Sequence, residues 1–222
     1  LDRQPRAGRF RADRDRADAV NVGALDGETI APHIVFLGRF VKRKGADILL
    51  DAIEYGEQHR LFPAGTHVTM AGKGPLLEEC RRRAAGFDTP VTFTGFIEES
   101  AKPALLSSAD VAVFPATGGE SFGIVLLEAI ASGAKVTLAG DNPGYHSTLL
   151  GDTDALFPVR GRDTARVLAQ RIARAIDDAA WDRQVHAREE LLLERYDART
   201  IADQVEQVYT QAIVKRRAGR AV

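Results

Sequence analysis

The sequence predicts an α/β fold in which a doubly wound parallel sheet of about six strands is followed by C-terminal helices. Three observations lead to this prediction. From residue 33 onwards, short apolar runs alternate with helical patterns, which is typical of a parallel sheet with helices on both faces. Glycine-rich turns stand at the ends of the apolar runs. After residue 157, only helical periodicity remains.

The strands are predicted from short apolar runs that end in turn residues. The first run ends in Gly38, and the second ends in Gly72-Lys73-Gly74. Since parallel strands bring their carboxyl ends to one edge of a sheet, these turns should collect there, where ligands bind in such folds. The predicted strands cover residues 33–37, 66–71, 90–95, 110–114, 135–139 and 155–157.

The helices are predicted from apolar residues three or four positions apart and from their end signals. Ile48, Leu49 and Ile53 share one face of the first helix. Pro103 falls near a first turn, where proline is tolerated, and Asp197 suits the N-cap of the last helix. The predicted helices cover residues 46–58, 76–85, 99–107, 122–132, a short segment after 144, 162–178, 180–194 and 198–216.

Composition excludes several classes of protein. A net charge of -1 gives no bulk reason to expect nucleic-acid binding. The single cysteine, Cys80, excludes an internal disulfide and a cysteine-based zinc cluster, and the five histidines lack the spacing of metal ligands. No apolar stretch reaches the ~20 residues of a membrane span, and no secretory signal is apparent. We therefore expect a cytoplasmic protein.

The two ends of the chain differ from the alternating region. Residues 1–32 are rich in Arg, Asp and Ala and are interpreted as a linker or a remnant of an interdomain region, with a composition typical of disorder. Residues 33–216 form the predicted binding domain, and 217–222 form a basic, solvated tail. Because the only methionine is Met70, we expect a fragment, a processed product or an excised domain.

The segment from Gly118 to Glu128 predicts an anion site. Two glycines precede Glu120, and an apolar helical run carries Glu128 eight residues later. Unpaired N–H groups and the helix dipole favour an anion at such a helix start. Arg39 and Lys44 follow another strand, and two cations with a helix N-terminus suit a diphosphate. The two carboxylates suit sugar hydroxyls nearby.

Other interpretations of these charges exist. Arg39 and Lys44 could be solvated loop charges, Glu128 could pair with a cation on its own helix, and Lys73 could be a turn residue. A glycosidase pair is disfavoured, because eight helical residues separate two carboxylates by about 12 Å, whereas such pairs need about 5–9.5 Å. A dinucleotide-binding oxidoreductase is disfavoured because Gly72-Lys73-Gly74 lacks a third glycine and precedes proline.

Several of these segments together resemble the nucleotide-sugar half of retaining GT-B glycosyltransferases, in the large family that includes bacterial phosphatidylinositol mannosyltransferases and sucrose synthases. The resemblance extends from about residue 33 to 215 and implies a Rossmann-like domain that is one half of a GT-B fold. It rests on residues 38–45, 71–75, 94–96 and 120–123 together with Glu128.

The resemblance implies a role for each site residue. Arg39 and Lys44 would hold the donor diphosphate and stabilise the leaving nucleotide, Glu120 would bind hydroxyls of the transferred sugar, and Glu128 would bind the ribose. The base of a UDP- or GDP-sugar would lie near Phe96 and Ile97, and no metal or other cofactor is expected. The implied catalytic residues are Arg39, Lys44 and Glu120, and the implied binding residues are Gly38, Arg39, Lys44, Gly72, Gly74, Phe96, Ile97, Glu120, Ser121, Phe122, Gly123, Ile124 and Glu128.

The implied function is that of the C-terminal donor-binding domain of a retaining enzyme that transfers a hexose to a glycan or lipid. The partners are then a nucleoside-diphosphate sugar and an N-terminal acceptor domain missing from this chain, with no nucleic acid and with peripheral contact at the inner face of a membrane in the full protein. Without the acceptor domain we expect weak or no transfer. The alternatives are a non-catalytic nucleotide-sugar-binding subunit or sensor and, less favoured, a nucleotide-sugar epimerase.

The chain also departs from the family pattern in two places. Residues 140–146 differ from the Gly-Gly-x-x-Glu loop common in relatives, and we interpret them as a strand-to-helix turn with an exposed aromatic. In the alternative interpretation, Tyr145 and His146 shape the sugar or acceptor pocket. Lys73 stands where an acidic residue is frequent, which changes the expected charge around the nucleotide.

Overall fold

The computed structural model describes residues 31–218, and its centre is a parallel sheet of six strands. The strands are β1 (His33–Leu37), β2 (His67–Ala71), β3 (Val91–Gly95), β4 (Val111–Phe114), β5 (Val136–Gly140) and β6 (Leu156–Phe157). They lie in the order β3-β2-β1-β4-β5-β6, and every neighbouring pair is parallel. This order confirms the predicted doubly wound sheet, and it reverses direction between β1 and β4.

Helices cover both faces of the sheet, and their bounds agree with the predicted ones within two residues, except that the helix predicted from residue 99 begins three residues later, after a 3₁₀ turn. Two short 3₁₀ turns, Lys42–Lys44 and Glu99–Ala101, precede α1 and α3. The α-helices of the described residues are α1 (Ala46–Gln58), α2 (Leu77–Ala84), α3 (Lys102–Ser107), α4 (Ile124–Ser132), α5 (Pro143–Thr148), α6 (Thr164–Asp177), α7 (Ala179–Arg195) and α8 (Ala198–Ala218).

Alternation along the strands creates one apolar cluster on each face. In β1, Ile34 and Phe36 point into a cluster with α1, α2 and α6, whereas Val35 points into a cluster with α3, α4 and α5. All three residues are at most 1% exposed. Burial on both faces explains why the strands consist of apolar runs rather than of alternating apolar and polar residues.

Helix ends follow local signals in the sequence. Asp197 accepts hydrogen bonds from the backbone N–H groups of Arg199 (2.9 Å) and Thr200 (3.3 Å), which confirms its predicted capping role. Helix α4 begins at Ile124, two residues later than predicted. The reason is Gly123, whose φ of 87° is left-handed and therefore incompatible with a regular helix.

Some expectations fall at the edge of the described residues. The linker expected at 1–32 lies outside them except for its last two positions, and the tail expected at 217–222 begins inside α8 and ends outside them. Cys80 is buried on α2. Among the helices in the described part of the chain, none has the length and apolar character needed to cross a membrane.

A buried carboxyl group connects α7 to the sheet. Glu189 is 1% exposed, and its Oε1 accepts a hydrogen bond from the backbone N–H of Thr137 in β5 (2.8 Å). Burial raises the pKa of Glu189 from its ordinary 4.5 to about 8, and the nearby Asp152 and Asp182 add to the rise. The folded protein therefore keeps this carboxyl group protonated at neutral pH.

Glu189→Gln should remove a pH dependence of stability. Because the folded state retains a proton that the unfolded state loses, the contribution is complete below pH 4.5 and is lost progressively as the pH rises to about 8. The free energy of unfolding then falls by at most about 1.4 kcal/mol per pH unit in this window. Thermal unfolding from pH 5 to 9 should show a smaller decline for Glu189→Gln, whereas Glu194→Gln, at an exposed position of the same helix, should follow the native curve. Parallel curves for Glu189→Gln and the native protein would contradict the role of this residue.

Candidate functional site

A cavity of about 550 Å³ opens where the strand order reverses, at the carboxyl ends of the central strands. This volume is within the range of small-molecule sites. The sequence-predicted site residues that line it are Gly38, Arg39, Lys44, Gly72, Phe96, Ile97, Ile124 and Glu128. The predicted residues that do not line it are Gly74, Glu120, Ser121, Phe122 and Gly123.

The cationic side of the cavity is the 3₁₀ turn Lys42–Lys44 with the residues around it. Gly45 follows this turn with a φ of 69°, and a Cβ added there would come within 2.1 Å of the Pro115 carbonyl oxygen. Only glycine therefore allows the turn to lie against the end of β4. The backbone N–H of Thr117 donates to the Arg43 carbonyl (2.8 Å), which joins the turn to the segment that leads to Glu120.

Glu120 meets the cations directly, although it does not line the cavity. Its Oε1 lies 2.8 Å from Lys44 Nζ and accepts a hydrogen bond from an Arg43 guanidinium nitrogen at 3.0 Å. The Glu120 side chain is 11% exposed and that of Lys44 is 19% exposed, so solvent screens this pair less than a surface ion pair. Arg39 lines the same cavity from an exposed position.

The N-terminus of α4 forms the opposite side. No side chain caps this helix, and no acidic residue occupies its first turn, so its first N–H groups and its dipole favour an anion. Ile124 lines the cavity at the first helical position, and Glu128 lines it one turn later. Among the described residues, no cation lies within 4.0 Å of the Glu128 carboxylate, so the alternative of an ion pair on its own helix is not supported.

Two of the predicted glycines allow backbone segments to pack closely. A Cβ on Gly72 would come within 1.8 Å of the Gly38 carbonyl oxygen, and a Cβ on Gly74 within 2.3 Å of the Phe40 carbonyl oxygen. Both glycines have positive φ angles, of 136° and 157°. Gly72 thus lines the cavity and also joins two strand ends, whereas the close contact of Gly74 is with the backbone of Phe40.

Several charged residues of this cavity were not among the predicted site residues. Lys73, for which the sequence left open a turn residue or a change of charge around the nucleotide, lines the cavity with its Nζ 5.3 Å from the centre of the Phe96 ring. Lys102 lies 2.6 Å from Glu99, and both line the cavity beside Phe96. The lining cations are Arg39, Arg43, Lys44, Lys73 and Lys102, and the lining carboxylates are Glu99 and Glu128. This excess of positive charge favours an anionic ligand.

The expectation of an exposed aromatic after β5 was wrong for Tyr145. This residue is 1% exposed, because its ring packs beneath Gly123, where an added Cβ would be 2.4 Å from the ring. Burial, followed by the charge of Glu120, raises the pKa of its hydroxyl above the ordinary value of 10. His146 is exposed, and its Nδ1 lies 3.0 Å from Asp141.

A second cavity of about 590 Å³ lies between residues 149–155 and α7. None of the predicted site residues lines it. In the part of the chain that the structure describes, no group of three or more His, Cys, Asp or Glu side chains is placed to hold a metal ion.

Comparison with known proteins identifies relatives. The family described as "Glycosyl transferases group 1" matches residues 31–178. The phosphatidyl-myo-inositol mannosyltransferase of Mycobacterium tuberculosis (strain ATCC 25618 / H37Rv) is 34% identical over 179 residues, which cover 79% of this chain and 46% of that protein. A GDP-mannose-dependent alpha-(1-6)-phosphatidylinositol monomannoside mannosyltransferase of the same strain is 37% identical over 155 residues, covering 66% of this chain and 39% of that protein.

Solved structures share the fold. The sucrose-phosphate synthase of Thermosynechococcus elongatus has a TM-score of 0.65 and 27% identity, covering 84% of this chain and 46% of that one. Anabaena Alr3699/HepE in complex with UDP and glucose has a TM-score of 0.66 and 21% identity, covering 82% of this chain and 48% of that one. The chain thus spans about half the length of the curated mannosyltransferases it matches.

Proposed function

Since this chain belongs to the group 1 glycosyltransferase family, we propose that residues 33–216 are the donor-binding domain of a retaining hexosyltransferase. The observation that carries this proposal is the contact of Lys44 with Glu120 at 2.8 Å, beside the cavity and next to the uncapped start of α4. This contact supports the proposal because a cation that could bind phosphate lies next to a carboxylate that could bind sugar hydroxyls.

The diphosphate would lie between the cationic turn and α4. Arg39 and Lys44 would bind its oxygens, and the backbone N–H groups of Phe122, Gly123 and Ile124 would bind it from the other side. The cavity volume and its excess of cations support this placement. We propose that these cations neutralise the charge of the diphosphate, so that no metal is needed.

The two carboxylates would bind hydroxyl groups at opposite ends of the diphosphate. Glu120, held by Arg43 and Lys44, would accept hydrogen bonds from the transferred hexose. Glu128, one turn into α4 and free of cations within 4.0 Å among the described residues, would accept those of the ribose. Glu120 lies before α4 and Glu128 lies within it, and this arrangement suits two ends of one ligand better than an acid and a nucleophile.

The chemical step would exchange one bond for another. The bond between C1 of the hexose and a β-phosphate oxygen breaks, a bond between C1 and the acceptor hydroxyl oxygen forms, and the hydroxyl proton passes to the leaving phosphate on the same face. Arg39 and Lys44 would stabilise the charge that develops on the nucleotide. Retention of configuration follows from attack on the face that the leaving group vacates.

The acceptor would bind to a part of the enzyme that corresponds to the rest of the relatives' length. Relatives named phosphatidyl-myo-inositol mannosyltransferases support a lipid or glycan acceptor and mannose as the hexose. We propose that the enzyme works in the cytoplasm with peripheral membrane contact. This chain alone should transfer sugar slowly or not at all, because the acceptor would not be positioned against the donor.

The part of the cavity lined by Phe96, Ile97, Glu99 and Lys102 suits guanine best. Glu99 and Lys102 form an ion pair beside Phe96 and Ile97, so an acceptor and a donor lie next to each other there. The edge of guanine offers the complementary pair, an O6 acceptor beside N–H donors. The GDP-mannose-dependent relatives support the same choice.

Binding of GDP, UDP and inosine diphosphate tests this assignment. GDP should bind at least tenfold more tightly than UDP, and Lys102→Ala should weaken GDP binding by about 10- to 100-fold, as for one hydrogen bond to a charged group, with little change for UDP. Lys135→Ala, which removes a cation paired with Asp110 outside the cavity, is the matched control. Equal affinities for the three nucleotides, unchanged by Lys102→Ala, would contradict the choice of guanine.

A further inference from the structure

We infer that α5 is a platform that sets the position of Glu120, and that Thr148 is a positioning residue for the sugar end of the donor site. The inference rests on the proposed function, since it assigns support to a residue proposed to bind the sugar. It arises from the segment 120–123, which contacts α5 and Tyr196, the residue that follows α7.

Helix α5 is fixed to the sheet at its first turn. Asn142, 3% exposed, caps the helix by accepting a hydrogen bond from the backbone N–H of Tyr145 (3.1 Å). Its amide nitrogen donates to the carbonyls of Ala116 (2.9 Å) and Gly140 (3.1 Å), which follow β4 and end β5. One side chain thus connects the helix to two central strands, and the helix cannot shift without breaking these bonds.

Gly144 brings this helix into direct contact with the backbone of Glu120. A Cβ at this position would come within 2.2 Å of the Glu120 carbonyl oxygen and within 3.1 Å of the Glu120 Cβ. Residue 144 is buried, so a side chain could not turn towards solvent. The spacing between α5 and Glu120 is therefore set by the absence of a side chain.

Thr148, one turn later in α5, forms a hydrogen bond with the segment 120–123. It is fully buried, and its hydroxyl donates a hydrogen bond to the carbonyl of Phe122. The carbonyl of Gly144, one turn back in α5, lies 3.1 Å from the same hydroxyl. Because the hydroxyl has a single proton, a bond to Phe122 ties the segment to α5 at the expense of the bond inside the helix.

Tyr196 supports the segment from the end of α7. Its ring meets the ring of Phe122 edge-on, with centres 5.0 Å apart and planes at 84°. Its hydroxyl donates to the carbonyl of Ser147 in α5 at 3.4 Å. Phe122 is therefore held through its carbonyl by Thr148 and through its ring by Tyr196, two residues from the carboxylate proposed to bind the sugar.

The test compares GDP and GDP-mannose binding to Thr148→Val and Thr148→Ser by calorimetry. If Thr148 sets the position of Glu120, its loss should weaken binding of the sugar. It should have much less effect on the diphosphate, which Arg39 and Lys44 would bind. Thr148→Val should therefore weaken GDP-mannose about fivefold to tenfold, as for one lost hydrogen bond, and leave GDP within about twofold. Thr148→Ser, which keeps the hydroxyl, should bind both ligands as the native protein does.

Tyr196→Ala and Tyr196→Phe provide a second pair at the periphery of the domain, for the case in which Thr148→Val does not fold. Tyr196→Ala should lower the ratio of GDP-mannose to GDP affinity, and Tyr196→Phe should preserve it, because the ring contact remains. Equal weakening of both ligands, or no change in the ratio in either pair, would overturn the inference while the proposed function stands. Failure of the native protein to bind GDP at all would overturn both.

Discussion

Replacing Lys44 with alanine should weaken binding of GDP-mannose by about 10- to 100-fold, the range expected for one hydrogen bond to a charged group. Lys44 is the cation that contacts Glu120 and lines the donor cavity, and its side chain is only 19% exposed. Its loss removes a charge from the diphosphate site and leaves Glu120 with Arg43 as its only cation among the described residues. Arg39→Ala should have an effect of similar size, and the double variant should bind too weakly for calorimetry.

Lys42→Ala is the matched control for this prediction. Lys42 belongs to the same 3₁₀ turn, but its side chain is 85% exposed, pairs with Asp47 and does not line the donor cavity. Its removal should leave donor affinity within about twofold, since exposed ion pairs contribute little. If Lys42→Ala weakened binding as much as Lys44→Ala, a general attraction of the loop for anions would replace the specific site proposed for the diphosphate.

Gly72→Ala should lower the free energy of unfolding by about 3 kcal/mol or more, because strain at a left-handed position adds to a steric clash. The φ of 136° disfavours any side chain, and the new Cβ would come within 1.8 Å of the Gly38 carbonyl oxygen. The oxygen belongs to the backbone after β1, and the Cβ would be bonded directly to the backbone after β2, so neither atom can move without displacing a strand end. Urea unfolding of the two proteins measures the difference.

Gly95→Ala separates strain from the clash. Gly95 also has a positive φ, of 72°, but no atom lies within 4 Å of an added Cβ. Its replacement should cost only the backbone strain, about 1 kcal/mol. Equal destabilisation by the two substitutions would show that strain alone determines the effect and that the close approach of Gly72 to Gly38 is unimportant.

Local patterns were sufficient to predict the fold. The apolar runs at 33–37 and 110–114 became buried central strands, because a strand covered by helices on both faces must be apolar throughout. The periodicity over 46–58 gave α1 with its observed bounds, since one helical face meets the core. These features depend on residues that lie close together in the sequence, so the sequence alone was sufficient to predict them.

The proximity of Glu120 to the cations could be anticipated only in part. Parallel strands gather their carboxyl ends, so the turns after β1 and β4 had to lie close together. The second partner of Glu120, Arg43, was not predicted, because the loop 39–45 offers several cations and only the turn before Gly45 decides which of them face inwards. The sequence shows a run of cations, but it does not indicate which of them contacts Glu120.

Contacts between distant segments explain the remaining errors. Tyr145 looked like an exposed turn residue, yet it is buried because Gly123, more than twenty positions earlier, leaves space for its ring. The pair Glu99 and Lys102 carries a sequence signal, a spacing of three residues in a helical turn, but the spacing does not show that both line the cavity. Such tertiary contacts depend on packing that periodicity does not encode.

A crystal structure of this chain with bound GDP-mannose would locate the donor site directly. We expect diphosphate density between the side chains of Arg39 and Lys44 and the first N–H groups of α4, with the hexose at Glu120 and the ribose at Glu128. Density for the nucleotide in the second cavity, between residues 149–155 and α7, with none beside Lys44, would contradict this expectation.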